Sequence, residues 1–187
     1  MAKKPLPSPE VLRQLLRYEP ETGKLFWRER SESMFEDGAH RAALVCARWN
    51  TRYAGKAAFD TRNHNGYKLG GISNRNILAH RVIWAIVHGR WPVADIDHIN
   101  GNRQDNRLCN LREVSRSTNL RNARLPDANT SGRVGVSWDR SRGKWLAYIH
   151  ANGRMVNLGR FDAFEEAVSA RKAEEARWGY HPNHGRL

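Results

Sequence analysis

Residues 95–122 read DIDHINGNRQDNRLCNLREVSRSTNLRN, and this stretch decides how the chain is read. An Asp-His pair, Asp97-His98, opens it, and a Gly/Asn-rich loop follows. A short apolar run from Cys109 to Val114 comes next, then a polar, helix-like segment holding Asn119. Neutral imidazole suits a general base near pH 7. Asp and Asn oxygens suit a hard divalent metal. The Arg-rich surroundings suit a phosphodiester substrate. The pattern predicts a first strand over 96–99, a tight polar loop over 100–106, a second strand over 109–114, and a helix capped by Ser115 that runs to about Arg124. Adjacent residues on a regular strand point to opposite faces. Asp97 and His98 therefore serve one site only if the strand is distorted or ends there.

The stretch resembles the HNH nuclease motif, the strand-strand-helix metal fold of phage and intron-encoded endonucleases. The family pattern is Asp-His, then Asn before Leu, then a final His or Asn on the helix. Here these are Asp97-His98, Asn110 before Leu111, and Asn119, with Asn122 one turn on as the other choice for the last place. The resemblance implies metal-assisted phosphodiester hydrolysis with His98 and Asn110 as the catalytic pair. His98 takes the proton of the attacking water, and Asn110 bonds the second imidazole nitrogen. Asp97 and Asn119 hold one divalent ion, Mg²⁺. Taken singly, each of these residues reads as an ordinary loop or surface residue; their combined spacing carries the chemistry. The positive end of the helix after Ser115, with Arg116 in its first turn, is expected to add to phosphate binding.

Composition agrees. The chain has 187 residues, room for one medium domain or two small ones, and a formal net charge of +13. That excess implies a polyanion partner, and the predominance of Arg over Lys favours bidentate phosphate and base-edge contacts. Two cysteines, Cys46 and Cys109, exclude a Cys-based zinc site and a disulfide framework. The N-terminal residues lack the apolar core of a signal peptide, and no apolar run is long enough to cross a bilayer. A soluble intracellular protein is expected.

Ahead of the motif, Ser8 is placed to cap a helix that starts at Pro9 and carries Val11, Leu12, Leu15 and Leu16. Residues 19–23 read as a turn, 24–28 as a strand, 29–38 as a loop and 39–52 as a basic helix. Residues 66–72 and 76–80 read as strands joined by Ser73-Asn74-Arg75. Val82, Ile83, Ile86 and Val87 fit a short helix stopped by Gly89 and Pro92. These elements form the supporting shell of the motif. His88, His181 and His184 belong to no constellation. For His80, beside Arg81, an ordinary structural role outweighs an approach to the phosphate.

Residues 126–132 have linker composition. Beyond them come three strand candidates, 133–138, 144–150 and 154–158, with turns at Gly143 and Asn152-Gly153. A helix follows, capped by Asp162, with Ala170, Ala173 and Ala176 small enough to lie against a sheet. This module resembles the Apetala or ethylene-response-factor DNA-binding domain through Gly135-Val136, Gly143-Lys144-Trp145, Ala147, Ile149, Leu158-Gly159, Phe161 and Glu166-Ala167. The resemblance implies that exposed sheet residues read the major groove. It departs from the family at Ser137, His150 and Asn157, so the base sequence read should differ. The candidate DNA contacts are Arg133, Arg140, Arg142, Trp145, Tyr148, His150 and Arg154, with Arg116 from the motif helix. Trp138 and Trp145 each fit either the core or the DNA face.

The expected architecture is α+β: a ββα-metal HNH nuclease unit with N-terminal supporting elements, over 1–125 with its core at 94–125. A linker at 126–132 leads to a three-stranded antiparallel sheet plus one helix over 133–187. The expected function is a metal-dependent, homing-type DNA endonuclease that nicks double-stranded DNA as a monomer, with no membrane or protein partner implied. The alternatives are a non-catalytic DNA-binding regulator on the same scaffold and an RNA-directed protein.

Overall fold

The computed structural model describes residues 5–38 and 40–186. The chain divides into two compact units, residues 1–113 and 114–187, both of mixed α+β character.

The first unit opens with α1 (Pro9–Leu15). The Ser8 side chain accepts from the Val11 amide, and Pro9 takes the first turn, where no N–H is needed. β1 (Leu16–Glu19) and β2 (Lys24–Trp27) follow as an antiparallel hairpin, with Leu16 opposite Trp27. The sequence pattern places Leu16 on the preceding helix and Glu19 in the following turn, and both belong to β1. Leu16 and Tyr18 turn one side of the strand inward, and the ladder to β2 overrides helix propensity there. α2 (Ala42–Tyr53) carries the basic helix expected from residue 39, a residue outside the described set. β3 (Ala57–Ala58) adds to the edge of β2.

A second sheet holds β4 (Thr61–Arg62), β5 (Lys68–Ile72) and β6 (Arg75–Leu78). The β5–β6 turn is the two-residue Ser73-Asn74, with φ of +52° and +61° and Ile72 paired to Arg75. Such a turn matches the twist of its strands. α3 (Ala79–His88) then buries Val82 and Ile83 completely and stops at Gly89 in the left-handed region. The strand expected over 76–80 ends at Leu78, which moves His80 into the first turn of α3. The unit closes with β7 (Asp95–His98) and β8 (Leu111–Val114), a two-stranded sheet. Leu12, Leu16, Leu25, Ile77, Ile83 and Leu111 belong to one apolar core. Each such side chain contributes roughly 1.5–3 kcal/mol by leaving water.

The second unit begins with α4 (Arg116–Leu120), where Ser115 accepts from the Thr118 amide as expected of a cap. The helix ends earlier than the predicted Arg124. β9 (Val136–Asp139), β10 (Lys144–Ala151) and β11 (Arg154–Phe161) form an antiparallel sheet in the order β11-β10-β9. α5 (Phe164–Arg177) packs on it. Asp162 does not cap α5: Ala163 holds that position, and the Asp162 carboxylate lies 3.1 Å from Lys144 Nζ. The contact face also differs from expectation. Ala167 is fully buried, whereas Ala173 and Ala176 are exposed. In their place Arg171, 2 % exposed, reaches under the sheet. It donates to the Tyr148 carbonyl at 2.8 Å and to Glu175 at 3.0 Å, which satisfies a charge that would otherwise be costly to bury.

The stretch of linker composition is tied into this unit. The Leu125 amide donates to the Arg186 carbonyl, and the Gly185 amide to the Ala123 carbonyl. Ser131 Oγ donates to the Val136 carbonyl at 2.6 Å. Among the described residues, no helix is long and apolar enough to cross a membrane.

Candidate active site

β7 presents Ile96, Asp97 and His98 in succession, and all three are buried. The strand stops at His98: the next residues enter a turn in which the Gly101 amide donates to the His98 carbonyl at 2.7 Å, with Gly101 at φ +73°. The strand thus ends at the His98 position, the condition under which the two neighbours could serve one site. Asp97 lies within the strand and turns to β8, where Arg112 donates through Nε at 2.9 Å and Nη2 at 2.8 Å, both to Oδ2. His98 sits at the strand end, where the chain turns into the polar loop.

The loop from 99 to 107 is shaped by its own short side chains. Asn100 Oδ1 accepts from the Asn102 amide, and Asn102 Oδ1 from the Gln104 amide. The Asn100 amide group donates to Asp105 Oδ2 at 2.8 Å. Arg107 pairs with Asp105, and this holds the carboxyl down at about 2. Asn110 locks the loop from the second strand: its Oδ1 accepts from the Asn100 amide at 2.9 Å, and its Nδ2 donates to the Asp105 carbonyl at 2.8 Å. The expected bond from Asn110 to the imidazole is therefore not made, because both ends of its amide serve loop backbone.

Asn106 takes that role. It is 1 % exposed, and its Oδ1 lies 2.9 Å from His98 Nε2. An amide oxygen only accepts, so Nε2 carries the proton and Nδ1 carries the lone pair. Asn106 is itself fixed by Tyr18 of β1, whose hydroxyl donates to the Asn106 carbonyl at 3.2 Å and accepts from the Leu108 amide at 2.9 Å. Gly23 makes this approach possible. At φ +68°, a Cβ there would meet Arg107 N at 2.5 Å and Asn106 C at 2.6 Å.

Aromatic groups wall the imidazole. His80 lies edge-on to His98 with ring centroids 5.1 Å apart, and Tyr67 lies 5.2 Å from His80 and 5.7 Å from His98. Arg103 of the loop stacks 4.9 Å over Tyr67. Burial pushes the His98 imidazole below the ordinary histidine range, against the opposing pull of Asn106 and Asp97. His98 is thus neutral at pH 7, the state a general base needs. Burial, reinforced by His98 and Arg81, drives His80 down to about 3. His80 Nδ1 is buried without a partner.

In the second unit, Asn119 lies on α4, its amide bonded to the Ser115 carbonyl. Asn122 follows the helix and is buried, with its Oδ1 3.2 Å from Arg186 Nη1. Among the described residues no group of three His, Cys, Asp or Glu side chains comes together as a metal cluster.

The proposed DNA contacts separate. Arg140, His150 and Arg154 are exposed, as is Arg142, which pairs loosely with Asp139 at 3.5 Å. Tyr148 is half-buried, and Arg116 is exposed on α4. Arg133 is committed to Glu175 at 2.6 Å and is largely buried. Trp145 packs in the core against Phe164 at 4.8 Å, because its position on β10 shares the helix-covered side with Ala147 and Ile149. Trp138 stands opposite it and remains 47 % exposed at the sheet edge. The sequence reading missed Asn106, Arg112, Tyr18 and Tyr67, and it weighed His80 as ordinary.

Residues 78–121 match the family model described as HNH endonuclease. The matched stretch contains Asp97, His98, Asn106, Asn110, Arg112 and Asn119. Protein 3.8 of Escherichia phage T7 is 36 % identical over 87 residues, covering 46 % of this chain and 72 % of the relative. The chain belongs to the HNH endonuclease family. No solved structure matches it. The family model places an HNH domain at 78–121.

Proposed function

We propose that the protein is a divalent-metal-dependent, homing-type DNA endonuclease that hydrolyses phosphodiester bonds one strand at a time. The single observation that carries this reading is His98. It is a buried, neutral imidazole with its tautomer set by Asn106. It stands next in sequence to a buried carboxylate, within the stretch that matches the HNH model. Nδ1 takes the proton from the water that attacks phosphorus, and Nε2–H stays with Asn106 throughout. Asn110 acts on the loop that carries Asn106 and not on the ring.

The donor chemistry fits a hard ion. Asp97 offers a buried carboxylate and Asn119 an amide oxygen. Mg²⁺ is commonly held by one or two protein oxygens, with water and substrate phosphate completing the shell. Asp97 and Asn119 would hold it, and when bound it supplies Lewis-acid stabilisation of the charge that develops on the phosphate. Arg112, doubly bonded to Asp97 Oδ2, orients that carboxylate.

The C-terminal sheet and helix support a reading role of the Apetala type. Arg140, Arg142, Tyr148, His150 and Arg154 are the contacts, with Arg116 on the motif side. Arg133 and Trp145 drop out, since each is engaged within the unit. Double-stranded DNA is the substrate, and one site per chain makes the nicked circle the first product from supercoiled plasmid.

The test is single-turnover cleavage of supercoiled plasmid with Mg²⁺, comparing the native protein with His98→Ala. Removing a general base should lower the rate by about 10² to 10⁴ and leave DNA affinity nearly unchanged. Cleavage by His98→Ala at the native rate removes His98 as the base. No metal-dependent cleavage by the native protein, with DNA binding intact, favours a regulator.

A further inference from the structure

The first unit has a second feature suited to nucleic acid, away from His98. A cleft of about 900 Å³ lies between α2 and the β5–β6 turn, with Trp27, Trp49 and Tyr53 among the residues that line it. Arg30 also lines it. Its backbone is pinned to α2: the Arg30 amide donates to Asn50 Oδ1 at 3.0 Å, and its carbonyl accepts from Asn50 Nδ2 at 2.9 Å. Its guanidinium lies 3.7 Å over the Trp49 ring and 5.5 Å from that of Trp27. Among the described residues this guanidinium meets no carboxylate and no hydrogen-bond acceptor, and its Nε is buried without a partner. No Asp or Glu lines the cleft, and Arg75 joins Arg30 on its wall.

A guanidinium held 3.7 Å over an indole and left without an anion is pre-organised for a phosphate. The stacking fixes its plane at little entropic cost, and its N–H fork matches phosphate oxygens. The wall opposite is the polar turn Ser73-Asn74, exposed and of fixed backbone shape. The hairpin also sets the distance to the chemistry. Tyr67, just before β5, touches His98, and the cleft lies at the far end of that strand. Five residues of strand span roughly 16 Å, or about five base-pair steps along a duplex at 3.4 Å each.

We propose that this cleft binds the phosphodiester backbone of DNA flanking the cut, with Arg30 as the phosphate contact. The inference rests on the endonuclease reading and adds a grip within the nuclease unit itself. Recognition is then not confined to the C-terminal sheet. DNA held in this cleft keeps the scissile phosphate in register at His98.

The experiment uses the full-length chain and a 5′-labelled duplex in EDTA, so that binding is read without cleavage. Affinity is measured by anisotropy between 50 and 200 mM KCl for the native protein, Arg30→Gln and Arg30→Lys. Loss of one phosphate contact reduces the slope of log K against log[salt] by about 0.9. Arg30→Gln should show that reduction and bind about tenfold more weakly at the low-salt end. Arg30→Lys keeps the charge and should keep the slope. A merely destabilised protein loses active fraction but not slope, and near-UV circular dichroism checks the fold. A folded Arg30→Gln with the native slope and affinity overturns the cleft while leaving the nuclease intact. An RNA of the same sequence that outcompetes the duplex overturns the choice of DNA. Failure of the native protein to bind DNA at any salt overturns the endonuclease reading and the cleft with it.

Discussion

Asn106 is the most informative residue to change. Its Oδ1 is the acceptor for His98 Nε2 at 2.9 Å, in a place almost closed to water. Asn106→Leu keeps the branched shape and removes the acceptor, so the imidazole N–H is left buried and unpaired. That costs about 1–3 kcal/mol. The ring escapes the cost by moving its proton to Nδ1, the atom proposed to receive the water's proton. A 2 kcal/mol bias towards the wrong tautomer lowers the rate about thirtyfold. Asn106→Asp retains the acceptor and adds a negative charge, which stabilises the imidazolium and raises the pKa of His98. The assay is single-turnover plasmid cleavage from pH 5 to 9, with circular dichroism on each variant. Asn106→Leu should fall by one to two decades at every pH, with DNA affinity unchanged. Asn106→Asp should stay near the native rate at pH 8.5, and its acidic limb should shift upward. A folded Asn106→Leu within about twofold of the native rate, together with an unmoved limb in Asn106→Asp, refutes the tautomer argument.

Three further outcomes follow from the same geometry. His80 binds its proton near the ordinary 6.5 when unfolded but only at about 3 when folded. The unfolded state therefore holds more protons between those values, and stability present above 6.5 is lost as pH falls towards 3. Between pH 7 and 5 the His80 share of the loss is about 2 kcal/mol, and urea unfolding should show a loss smaller by about that amount in His80→Gln than in the native chain; equal losses would refute it. Gly23→Ala should cost roughly 1–2 kcal/mol from its left-handed backbone alone, plus displacement of Asn106. It should lower cleavage although it lies far from the motif in sequence, and an active, stable Gly23→Ala would refute the fit. Deleting residues 179–187 removes the backbone partners of Arg121, Ala123 and Leu125. It should depress cleavage, and so should Asn119→Ala, whereas native activity in the deletion would release α4 from any dependence on the tail.

Much of this was legible in the sequence. The strand, loop, strand and capped helix follow from turn residues and a cap at fixed offsets, and the hairpin turns follow from Ser73-Asn74 and Asn152-Gly153. The C-terminal sheet and helix were visible as alternation that gives way to a helical run. Side-chain pairing was not legible. Asn106 and Asn110 stand in one polar run, and which of them faces the imidazole depends on how the loop closes, a matter of turns nested within turns. Arg112 finds Asp97 only once β7 and β8 pair. Arg171 replaces the expected alanine face because a buried carbonyl and Glu175 await it, partners 23 and 4 residues away in sequence. Burial of the tail against 121–125 has no local signature, so the stretch of linker composition gave no sign of being tied down.

The placement of His98 explains why the domain needs a long N-terminal shell. A solvent-exposed histidine near 6.5 is already half neutral, so burial is not required merely to deprotonate it. Burial fixes the ring, and a fixed ring needs walls on every side. The motif itself supplies Asn106 and the loop. It does not supply Tyr18, which bonds the Asn106 carbonyl and the Leu108 amide, or Gly23, which admits that backbone, or Tyr67 and His80, which close over the imidazole. Those come from β1, the β1–β2 turn, the segment before β5, and α3. The same segment holds the loop from outside, since Arg103 donates to the Asn65 carbonyl at 2.7 Å. Tyr18, Gly23 and Tyr67, which precede the matched stretch at 78–121, are thus structural parts of the candidate site. The geometry that sets the His98 tautomer belongs to the whole first unit and not to the motif alone.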